Sequence, residues 1–359
     1  MHIAIDASRT TVQQATGTEH YALQLIRAVL NQPRQHHFTL YFRDPPTPDL
    51  FPQHDQVDFR VIPLKRAWTH LRLASAVTLQ PPDLLWVPAH TLPFMFRGQG
   101  AVTVHDLGYK YFPSAHPVKT RFYLDLTTRY SARRASVVIA DSQATRADLS
   151  RFYGTDASKI HVVYPGVDAP PVGDFEAVKA RFHLPERYFL FVGTLQPRKN
   201  IERLVDAYLR YRQQTHDPAG LVLAGKAGWL YNPAWMQTGE GIIQTGYISD
   251  EEKGALYQNA LAFVFPSLYE GFGFPVLEAM ALNAPVLCSQ TSSLPELVGD
   301  AAVLVDPLNV EQITQGMLQL DQDASLRQVL VQGGVQQVAK FTWEQAATDL
   351  LNALETVDR

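Results

Sequence analysis

The stretch Pro266–Ala281, PSLYEGFGFPVLEAMA, is the part of the sequence from which the fold can be read most directly. It follows an apolar, β-rich run, Ala262–Phe265, and it opens a pattern typical of a helix. Pro275 suits the first helical position, where its missing N–H costs nothing. Two glycines ahead of the helix let the backbone come close to a ligand. The stretch therefore predicts a strand, a ligand-binding loop and a helix in succession.

The same alternation of strand and helix runs along the chain in two blocks. Most of the strand candidates are apolar and rich in β-branched residues, which suits strands buried on both faces of a parallel sheet. The pattern predicts an α/β protein with two tandem, Rossmann-like, doubly wound domains. The candidates are Ile3–Asp6, Phe38–Phe42, Phe59–Pro63, Leu84–Val87, Val102–His105, Val137–Ala140 and His161–Tyr164, then Tyr188–Val192, Leu221–Ala224, Ile242–Thr245, Ala262–Phe265, Val286–Ser289 and Ala302–Val305.

A linker separates the two blocks at Pro165–Gly173, where three of nine residues are proline and two are glycine. We therefore expect an N-terminal domain over residues 1–168, with a terminal helix over residues 343–359 packing back onto it, and a C-terminal domain over residues 174–340. Thr342 is followed three residues later by Gln345, a capping-box spacing that opens a final helix towards Val357. Two such domains facing each other leave a cleft at the carboxyl ends of their strands, where ligands bind.

Composition excludes several classes of protein. Hydrophobic residues make up 46% of the 359 positions, enough for two cores, which excludes an intrinsically disordered chain. A net charge of -4 argues against nucleic-acid binding through a global positive field. Cys288 is the single cysteine, so an intrachain disulfide and a four-cysteine zinc site are excluded, as is typical of a reducing compartment. No apolar run approaches a membrane span and the start is too polar for a signal peptide, so we expect a cytoplasmic protein.

Two carboxylates belong to the opening stretch, Glu270 on the loop and Glu278 inside the helix. Both can accept hydrogen bonds from ligand hydroxyls, which are abundant on sugars and riboses. The amides that begin the helix favour an oxygen-rich or anionic group. A dinucleotide fingerprint fails because Val276 stands at the third glycine position. The alternative is that Glu278 is only a solvated helix residue.

Two adjacent cations follow the first strand of the second block, in Gly193–Asn200, GTLQPRKN. Arg198 offers a planar fork for phosphate oxygens and Lys199 a compact charge, so the pair suits a diphosphate. The alternative is a solvated basic turn in which Asn200 is the N-cap of the next helix.

Taken in order, these segments resemble the retaining glycosyltransferases of family four, which have the GT-B fold of two domains across a cleft. The resemblance covers nearly the whole chain. It rests on the pattern of Glu270 and Glu278 in the context EGFGFPVLEAMA, preceded by GTLQPRKN. The further matching segments are Val104–Leu107, Asp141–Leu149, Val163–Asp168 and Gly246–Glu252.

The resemblance implies a role for each candidate residue. Glu278 would bind the ribose hydroxyls of a nucleotide-sugar donor, and Glu270 would lie beside the donor sugar. Arg198 and Lys199 would neutralise the leaving diphosphate, while His105 would hydrogen-bond the transferred sugar from the opposite domain. Gly17 would let the backbone approach the phosphate or acceptor, although this chain has Thr16-Gly17-Thr18 where the family usually has Gly-x-Gly. The remaining donor-binding positions are Gly193, Thr194, Tyr247, Ile248, Gly271, Phe272, Gly273 and Phe274.

The resemblance also implies the mechanism, which is transfer with retention and front-face attack rather than a glutamate nucleophile. No cofactor and no metal are expected, because Arg198 and Lys199 can meet the charge of the leaving group. Asp321-Gln322-Asp323 has the spacing used by metal-dependent sugar transferases, but Asp323 suits an N-cap for the following helix.

The donor is inferred from Leu221–Leu230, LVLAGKAGWL, which resembles a subgroup dominated by mannosyltransferases of polysaccharide assembly that use GDP-mannose. UDP-glucose is the alternative donor. Two other functions are also considered: a disaccharide phosphorylase or synthase of the same fold, and a nucleotide-sugar-binding subunit without catalysis.

The expected partners are the nucleotide-sugar donor and a glycan or lipid-linked acceptor, with no nucleic acid. Basic and aromatic residues alternate in Pro117–Ala135 and Lys65–Arg72. Such a surface could rest on an anionic membrane that carries the acceptor, so weak peripheral association at the inner face is a hypothesis. The alternative is a solvated amphipathic helix, since Asp125 interrupts the positive charge.

Overall fold

The computed structural model describes residues 1–12, 17–33, 36–52, 54–115, 117–228 and 240–358. Its internal contacts divide the chain into two compact units. Unit 1 comprises Met1–Gly166 and Phe341–Arg359, and unit 2 comprises Val167–Lys340. Each unit is built on a parallel β-sheet with helical crossovers, so the predicted fold class of two doubly wound α/β domains is confirmed.

Unit 1 contains a seven-stranded sheet in the order β3-β2-β1-β4-β5-β6-β7. All its neighbouring strands are parallel, and Ile3 of the first strand lies opposite Phe38 on one side and Leu84 on the other. Its central strands are buried, as both-face coverage by helices requires. The strands are β1 His2–Asp6, β2 His37–Phe42, β3 Val57–Val61, β4 Leu84–Val87, β5 Gln99–Val104, β6 Val137–Ala140 and β7 Ile160–Val162.

The crossovers of unit 1 bury one face of each longer helix against this sheet. Tyr21, Leu25 and Ile26 are fully or almost fully buried on the first helix. Between β3 and β4 the chain makes a π-helical segment, Trp68–Leu73, which runs directly into an α-helix. The helices are α1 Gly17–Leu30, α2 Ala74–Leu79, α3 Gly108–Tyr111, α4 Val118–Arg134 and α5 Gln143–Tyr153.

Unit 2 contains a six-stranded parallel sheet in the order β10-β9-β8-β11-β12-β13. The strands are β8 Tyr188–Val192, β9 Gly220–Ala224, β10 Ile242–Gly246, β11 Ala262–Phe265, β12 Val286–Ser289 and β13 Val303–Val305. The helices are α6 Phe175–Phe182, α7 Ile201–Gln213, α8 Asp250–Asn259, α9 Phe274–Ala281, α10 Leu294–Val298, α11 Val310–Gln322 and α12 Ala324–Val338.

The last helix, α13 Trp343–Leu354, returns to unit 1. The Thr342 side chain accepts a hydrogen bond from the Gln345 N–H at 3.1 Å, which confirms Thr342 as the N-cap. The Gln345 side chain donates instead to Asp349 at 2.9 Å. Trp343 lies against Tyr21 of α1 with ring centroids 6.3 Å apart. Gly166 allows this packing, because a Cβ there would lie 2.3 Å from the Trp343 nitrogen.

Both sheets reverse their strand order once, between β1 and β4 in unit 1 and between β8 and β11 in unit 2. In a doubly wound sheet the crevice at this switch point, outside the carboxyl ends of the strands, is the usual ligand site. The loops that follow these strands are therefore where functional side chains are sought.

Some predicted boundaries are wrong by one or two residues. The third strand was expected over Phe59–Pro63 and spans Val57–Val61, because its early residues pair with β2 although they are less apolar. Pro275 occupies the second helical position rather than the first, since Gly273 is the N-cap. The N–H groups at both positions have no acceptor within the helix, so proline loses no hydrogen bond at either one. The sequence alone therefore could not distinguish the two positions.

Candidate active site

Glu270 stands at the centre of a buried charged cluster in unit 2. It follows β11, while Arg198 and Lys199 follow β8, so the switch point brings the three side chains together. Arg198 Nη1 lies 2.9 Å from Oε2 of Glu270, and Lys199 Nζ lies 2.6 Å from Oε1. Ser267 donates a third hydrogen bond to Oε1 at 2.5 Å. Sequence reasoning had assigned the glutamate and the cations to different parts of the donor, whereas the fold places them in direct contact.

The cluster is mostly shielded from solvent. The side chains of Glu270 and Lys199 are each 9% exposed, and that of Arg198 is 23% exposed. Burial disfavours the carboxylate, but Arg198 and Lys199 outweigh that effect and lower the pKa of Glu270 to about 2. Two cations and one carboxylate leave one net positive charge, and the more open of the cations is Arg198. The cluster can therefore accept an anionic ligand at its solvent side.

Asn200 fixes the loop that carries these cations. Its backbone is left-handed, with φ 61°, and its side-chain amide donates to the carbonyls of Pro266 at 2.9 Å and Pro307 at 2.6 Å. Asn200 is the N-cap residue of α7, as the alternative expected, but its side chain makes no capping hydrogen bond to that helix. Instead it ties the loop after β8 to the loop after β11.

Gly193 begins the same loop directly after β8. Its φ is 149°, and its N–H donates to the Ala224 carbonyl at 2.9 Å. A Cβ on Gly225 would lie only 2.1 Å from the Gly193 oxygen, so the loops after β8 and β9 approach each other through two glycines. Thr194, the next residue, is exposed beside them.

The glycine-rich loop leads from Glu270 into α9. Gly271, Phe272 and Gly273 are buried, whereas Phe274 is half-buried. Gly273 has a φ of 136°, a conformation that favours glycine, and an added Cβ would lie 2.8 Å from Leu294. The positive end of the α9 dipole thus lies four residues beyond Glu270.

Glu278 lies in the middle of α9 and is partly buried. Its Oε1 is 3.2 Å from Lys253 Nζ, and its Oε2 accepts a hydrogen bond from the Tyr257 hydroxyl at 3.3 Å. Burial and then the nearby carboxylate of Glu278 raise the pKa of Tyr257 well above its usual value. The side chain is 18% exposed, so the alternative that Glu278 is simply a solvated residue is wrong.

Tyr247 and Ile248 follow β10 at the edge of the same sheet. Tyr247 is 67% exposed and Lys226 Nζ lies 4.6 Å from its ring centroid. Ile248 is half-buried, and the next residue, Ser249, begins α8 with a capping box to Glu252. Trp229 and Leu230, which complete the motif used to infer the donor, lie outside the described residues.

His105 follows β5 in unit 1, and both of its ring nitrogens are engaged. Nδ1 lies 2.6 Å from Oδ2 of Asp141 and Nε2 lies 3.0 Å from the Pro88 carbonyl oxygen. Because the Pro88 carbonyl and the Asp141 carboxylate are acceptors, this arrangement favours the imidazolium, which donates from both nitrogens. Burial alone would lower the pKa of His105, but Asp141 outweighs it and raises that pKa. The predicted hydrogen bond from His105 to a sugar therefore requires one of these two bonds to be exchanged.

His90 is a neighbour of His105 that sequence reasoning missed. Its Nε2 accepts a hydrogen bond from the backbone N–H of His105 at 3.3 Å. Burial, followed by the charge of His105, lowers the pKa of His90 to about 4, so this second ring is neutral. Its position shortly after β4, beside the switch point, was the signal that sequence reasoning did not use.

The resemblance implies that Gly17 lies on the loop after the first strand, but in the structure Gly17 is the first residue of α1. Thr16, which precedes Gly17 in the same motif, lies outside the described residues.

The spaced aspartates near the carboxyl end have structural partners. Asp323 accepts a hydrogen bond from the Leu326 N–H at 2.9 Å, which confirms it as the N-cap of α12. Asp321 is paired with Arg187 and accepts a hydrogen bond from Tyr211 at 2.7 Å. Within the described ranges, the structure has no group of three or more His, Cys, Asp or Glu side chains that could hold a metal ion.

The basic and aromatic segment of unit 1 forms α4, and it exposes an apolar stripe. Val118, Phe122 and Leu126 are spaced four residues apart, and they are 71%, 68% and 47% exposed. Lys119 and Arg121 lie on the same helix. As far as the structure describes the chain, it has no helix that combines the length and the apolar character needed to span a membrane.

Both halves of the chain match known families. Residues 15–169 match the family described as Glycosyltransferase Family 4. Residues 174–337 match the family described as Glycosyl transferases group 1.

Several known proteins are similar to the chain in sequence. The O-antigen chain mannosyltransferase B of Escherichia coli is 34% identical over 265 residues, which cover 71% of this chain and 70% of that protein. The O-antigen chain mannosyltransferase RfbU of Salmonella typhimurium is 30% identical over 67% of this chain and 65% of its own length. The serotype-specific mannosyltransferase WbdA of Escherichia coli is 30% identical over 63% of this chain and 29% of that longer protein.

Solved structures share the fold at low identity. A sucrose-phosphate synthase from Thermosynechococcus elongatus superposes with a TM-score of 0.76 at 21% identity, over 99% of this chain and 98% of that one. The Anabaena protein HepE in complex with UDP and glucose gives 0.74 at 17% identity, over 99% of both chains. At these sequence identities the similarity shows a shared fold and nothing more.

Proposed function

Because the chain belongs to the group 1 glycosyltransferases, we propose that it moves mannose from GDP-mannose to a glycan or lipid-linked acceptor. Family membership makes it an enzyme that transfers a glycosyl group. The donor, the acceptor and the stereochemistry are the proposal. The observation that carries it is the buried contact of Glu270 with Arg198 and Lys199 at the switch point of unit 2.

We assign the donor site to the loops after β8 and β11 and to the start of α9. Arg198 and Lys199 bind the diphosphate, and Glu270 keeps both cations in position until it is bound. The amides of Gly273 and Phe274 add hydrogen-bond donors at the positive end of the α9 dipole. This arrangement suits a ligand whose charge is concentrated on a diphosphate.

We assign the ribose of the donor to Glu278. A carboxylate accepts two hydrogen bonds from a vicinal diol, and Lys253 and Tyr257 hold this one in a single orientation. Tyr247 and Ile248, at the edge of the sheet, then lie beside the base. Removing the Glu278 carboxylate weakens donor binding more than it slows the chemical step, because ribose lies away from the reacting bond.

The same residues account for the chemistry of transfer. The bond between the anomeric carbon and the diphosphate oxygen breaks, and its electron pair leaves with GDP. Arg198, Lys199 and the α9 amides stabilise the negative charge that develops there, so the reaction needs no metal ion. Positive charge develops on the sugar at the same time.

We further propose that the acceptor hydroxyl attacks from the face that the diphosphate leaves, so the configuration is retained. The new bond joins the acceptor oxygen to the anomeric carbon, and the acceptor proton passes to an oxygen of the departing diphosphate. Glu270 is already bound by two cations and a hydroxyl, and its pKa of about 2 makes it a weak base and a poor nucleophile. This supports a mechanism without a glycosyl-enzyme intermediate.

Mannose as the transferred sugar is supported by the relatives. The Escherichia coli and Salmonella typhimurium proteins that match two thirds or more of this chain are named as O-antigen chain mannosyltransferases. The sequence motif at Leu221–Leu230 supports the same donor by resemblance. UDP-glucose remains the second donor, since HepE, which shares the fold, was solved with UDP and glucose.

A thermal-shift panel with GDP, UDP, ADP and their sugar conjugates tests the donor. A ligand present at about 100 times its dissociation constant adds about 2.7 kcal/mol of stability, which a melting curve resolves. We expect stabilisation by GDP and GDP-mannose that is lost in Glu278→Ala. The matched control, Glu202→Ala, removes an exposed carboxylate from α7 and should respond like the wild type.

Each alternative gives a different pattern in that panel. Stabilisation by UDP compounds alone identifies UDP-glucose, and not GDP-mannose, as the donor. Activity with inorganic phosphate and a disaccharide, without any nucleotide effect, identifies a phosphorylase or synthase. Tight donor binding without turnover of any acceptor identifies a binding subunit.

We also propose that unit 1 touches a membrane surface weakly through α4, where apolar and basic residues share one helix. The proposal predicts stronger sedimentation with anionic than with neutral liposomes at low salt. Phe122→Ser should reduce that difference, because Phe122 is 68% exposed and no core packing is lost. Equal sedimentation with both kinds of liposome contradicts the proposal.

A further inference from the structure

Three neighbouring strands of unit 1 end beside one cavity of about 360 Å³. Arg9 follows β1, Arg43 follows β2 and Lys65 follows β3, and all three line the cavity. This volume is within the range of about 300–1,000 Å³ found for small-molecule sites. The cavity therefore lies at the edge of the sheet where doubly wound folds bind ligands, and its charged lining residues are cations.

The two arginines converge on the same point of this edge. Burial raises the pKa of Asp6, the last residue of β1, while Arg9 and Arg43 both act to lower it. Arg9 Nη1 is 2.9 Å from Oε1 of Glu19, and Arg43 Nε is 2.8 Å from Oδ2 of Asp44. Each pairing uses one N–H group of a guanidinium that has five, so donors remain for a ligand.

Lys65 adds a positive charge that forms no ion pair with any of the described carboxylates. It is exposed at the mouth of the cavity, and none of the described ion pairs includes it. An unpaired ammonium beside two arginines raises the local potential. A multiply charged anion such as a phosphate ester fits these three cations better than a neutral sugar does.

The wall of the cavity has an unusual backbone. Ala67 is left-handed, with φ 53° and ψ 29°, and it leads into the π-helical segment Trp68–Leu73. A left-handed conformation is disfavoured for a residue other than glycine, and π-helical turns are uncommon and occur frequently at functional sites. The segment is fixed because the Trp68 indole N–H donates to the Ile62 carbonyl at 2.8 Å. This backbone aims Thr69 and His70 into the cavity.

An apolar rim adjoins the cavity. The His70 ring stacks on Phe94 at 4.1 Å between centroids, and His70 Nε2 is 3.2 Å from the hydroxyl of Tyr123, which also lines the cavity. Phe94, the ring stacked on His70, is itself 41% exposed. A cationic pocket beside exposed apolar side chains matches a molecule that is anionic at one point and apolar next to it.

We propose that this cavity binds the phosphate-ester group of the glycosyl acceptor. The proposal rests on the proposed function, because it takes the acceptor to be the anionic, lipid-linked one of the two kinds considered above. Arg9, Arg43 and Lys65 bind the phosphate oxygens, and His70 and Tyr123 form the boundary between the charged group and its apolar chain. The apolar rim favours a lipid diphosphate over a soluble sugar phosphate as the source of that group.

Histidine ring signals of the full chain, recorded by NMR during a titration with inorganic pyrophosphate, test the proposal locally. The signal of His70, assigned with His70→Gln, should move saturably. Arg43→Gln combined with Lys65→Gln should weaken the apparent affinity by at least about tenfold. The control pair, Arg210→Gln with Lys340→Gln, removes the same charge from exposed positions in unit 2 and should leave the affinity within about twofold.

Two further arms identify the source of the phosphate. Phosphatidylcholine vesicles that contain a polyprenyl diphosphate should displace pyrophosphate if the group comes from a lipid, and mannose 1-phosphate should do so if it comes from a soluble sugar. An unmoved His70 signal, or one that moves equally in the Arg43→Gln/Lys65→Gln variant, overturns the proposal.

GDP affinity, measured on the same samples by calorimetry, distinguishes failure of the cavity proposal from failure of the proposed function. If GDP binds and His70 does not respond to pyrophosphate, the cavity proposal fails and the donor site stands. If His70 responds and no nucleotide binds, the cavity binds anions but its assignment to a glycosyl acceptor is overturned.

Discussion

Glu270 illustrates how a buried charge depends on its neighbours. Its carboxylate is nearly inaccessible, and it stays ionised because Arg198, Lys199 and Ser267 all contact it. The sequence predicted every one of the three charged residues as part of a site. It could not predict that they contact each other, because that contact depends on β8 and β11 being neighbours in the sheet although about 70 residues separate them.

Acid should remove the stability that Glu270 contributes. Its folded pKa of about 2 lies below the ordinary value of 4.5, so the contribution is complete above about pH 4.5 and is lost as the pH falls towards 2. The shift corresponds to about 3 kcal/mol. Urea unfolding of the wild type and Glu270→Gln should therefore differ most at neutral pH and least near pH 2.5. A difference that is constant with pH would show that the carboxylate is not linked to folding.

His105 should titrate in the opposite sense. Its folded pKa is raised, so the imidazolium contributes stability that is complete below the ordinary value of 6.5 and is lost as the pH rises through the folded pKa. Asp141→Asn removes the negative partner and should lower the His105 pKa below that of the wild type. The ring signals of His105, followed by NMR against pH, measure the change. Identical titration in both proteins would contradict the imidazolium assignment.

At the scale of the element, the loop between β8 and α7 depends on Asn200. Asn200→Ala loses two buried hydrogen bonds and places alanine, which tolerates left-handed backbone less well than asparagine, at φ 61°. We therefore expect the free energy of unfolding to fall by about 2–4 kcal/mol. Asn200→Gly loses the same hydrogen bonds but relieves the backbone cost, so it should be less destabilising than Asn200→Ala. Chemical unfolding measures both, and equal losses would show that the backbone conformation carries no cost.

Elements were predictable where burial and pattern agreed. Leu84–Val87, Val137–Ala140 and Tyr188–Val192 have their predicted bounds, because each is a fully apolar run between polar turns. The bounds of Val57–Val61 were not predictable, since an outer strand is set by pairing with its neighbour more than by its own hydrophobicity. The π-helical segment Trp68–Leu73 had no sequence signal, because its hydrogen bonds depend on the left-handed turn at Ala67.

At the scale of the whole molecule, unit 1 is completed by the last helix of the chain. Leu351 of α13 is fully buried, so Leu351→Ala should destabilise unit 1 by about 2–5 kcal/mol. The control is Leu308→Ala in unit 2, whose side chain is 62% exposed and which should have little effect. Chemical unfolding of both variants measures the difference. Equal stability of the two variants would contradict the place given to α13.

The two-unit layout was visible in the sequence because strand and helix alternate twice, with a proline-rich break between the blocks. The positions of the candidate sites followed from it, since each doubly wound sheet has one switch point. The cavity beside Arg9, Arg43 and Lys65 did not follow, because these residues are spread over more than 50 positions and meet only when β1, β2 and β3 pair side by side.

Calorimetric titration of GDP into the wild type and Arg198→Ala tests whether the cluster around Glu270 binds the donor diphosphate, because it needs neither the acceptor nor the sugar. Arg198 is the more accessible cation of the cluster, and a charge-assisted hydrogen bond to a phosphate contributes about 1.5–3 kcal/mol. We expect Arg198→Ala to weaken GDP binding by about 10- to 100-fold, while Arg210→Ala, on the exposed side of α7, binds like the wild type. Equal GDP affinity in the wild type and Arg198→Ala, or no binding of GDP by either, would contradict this expectation.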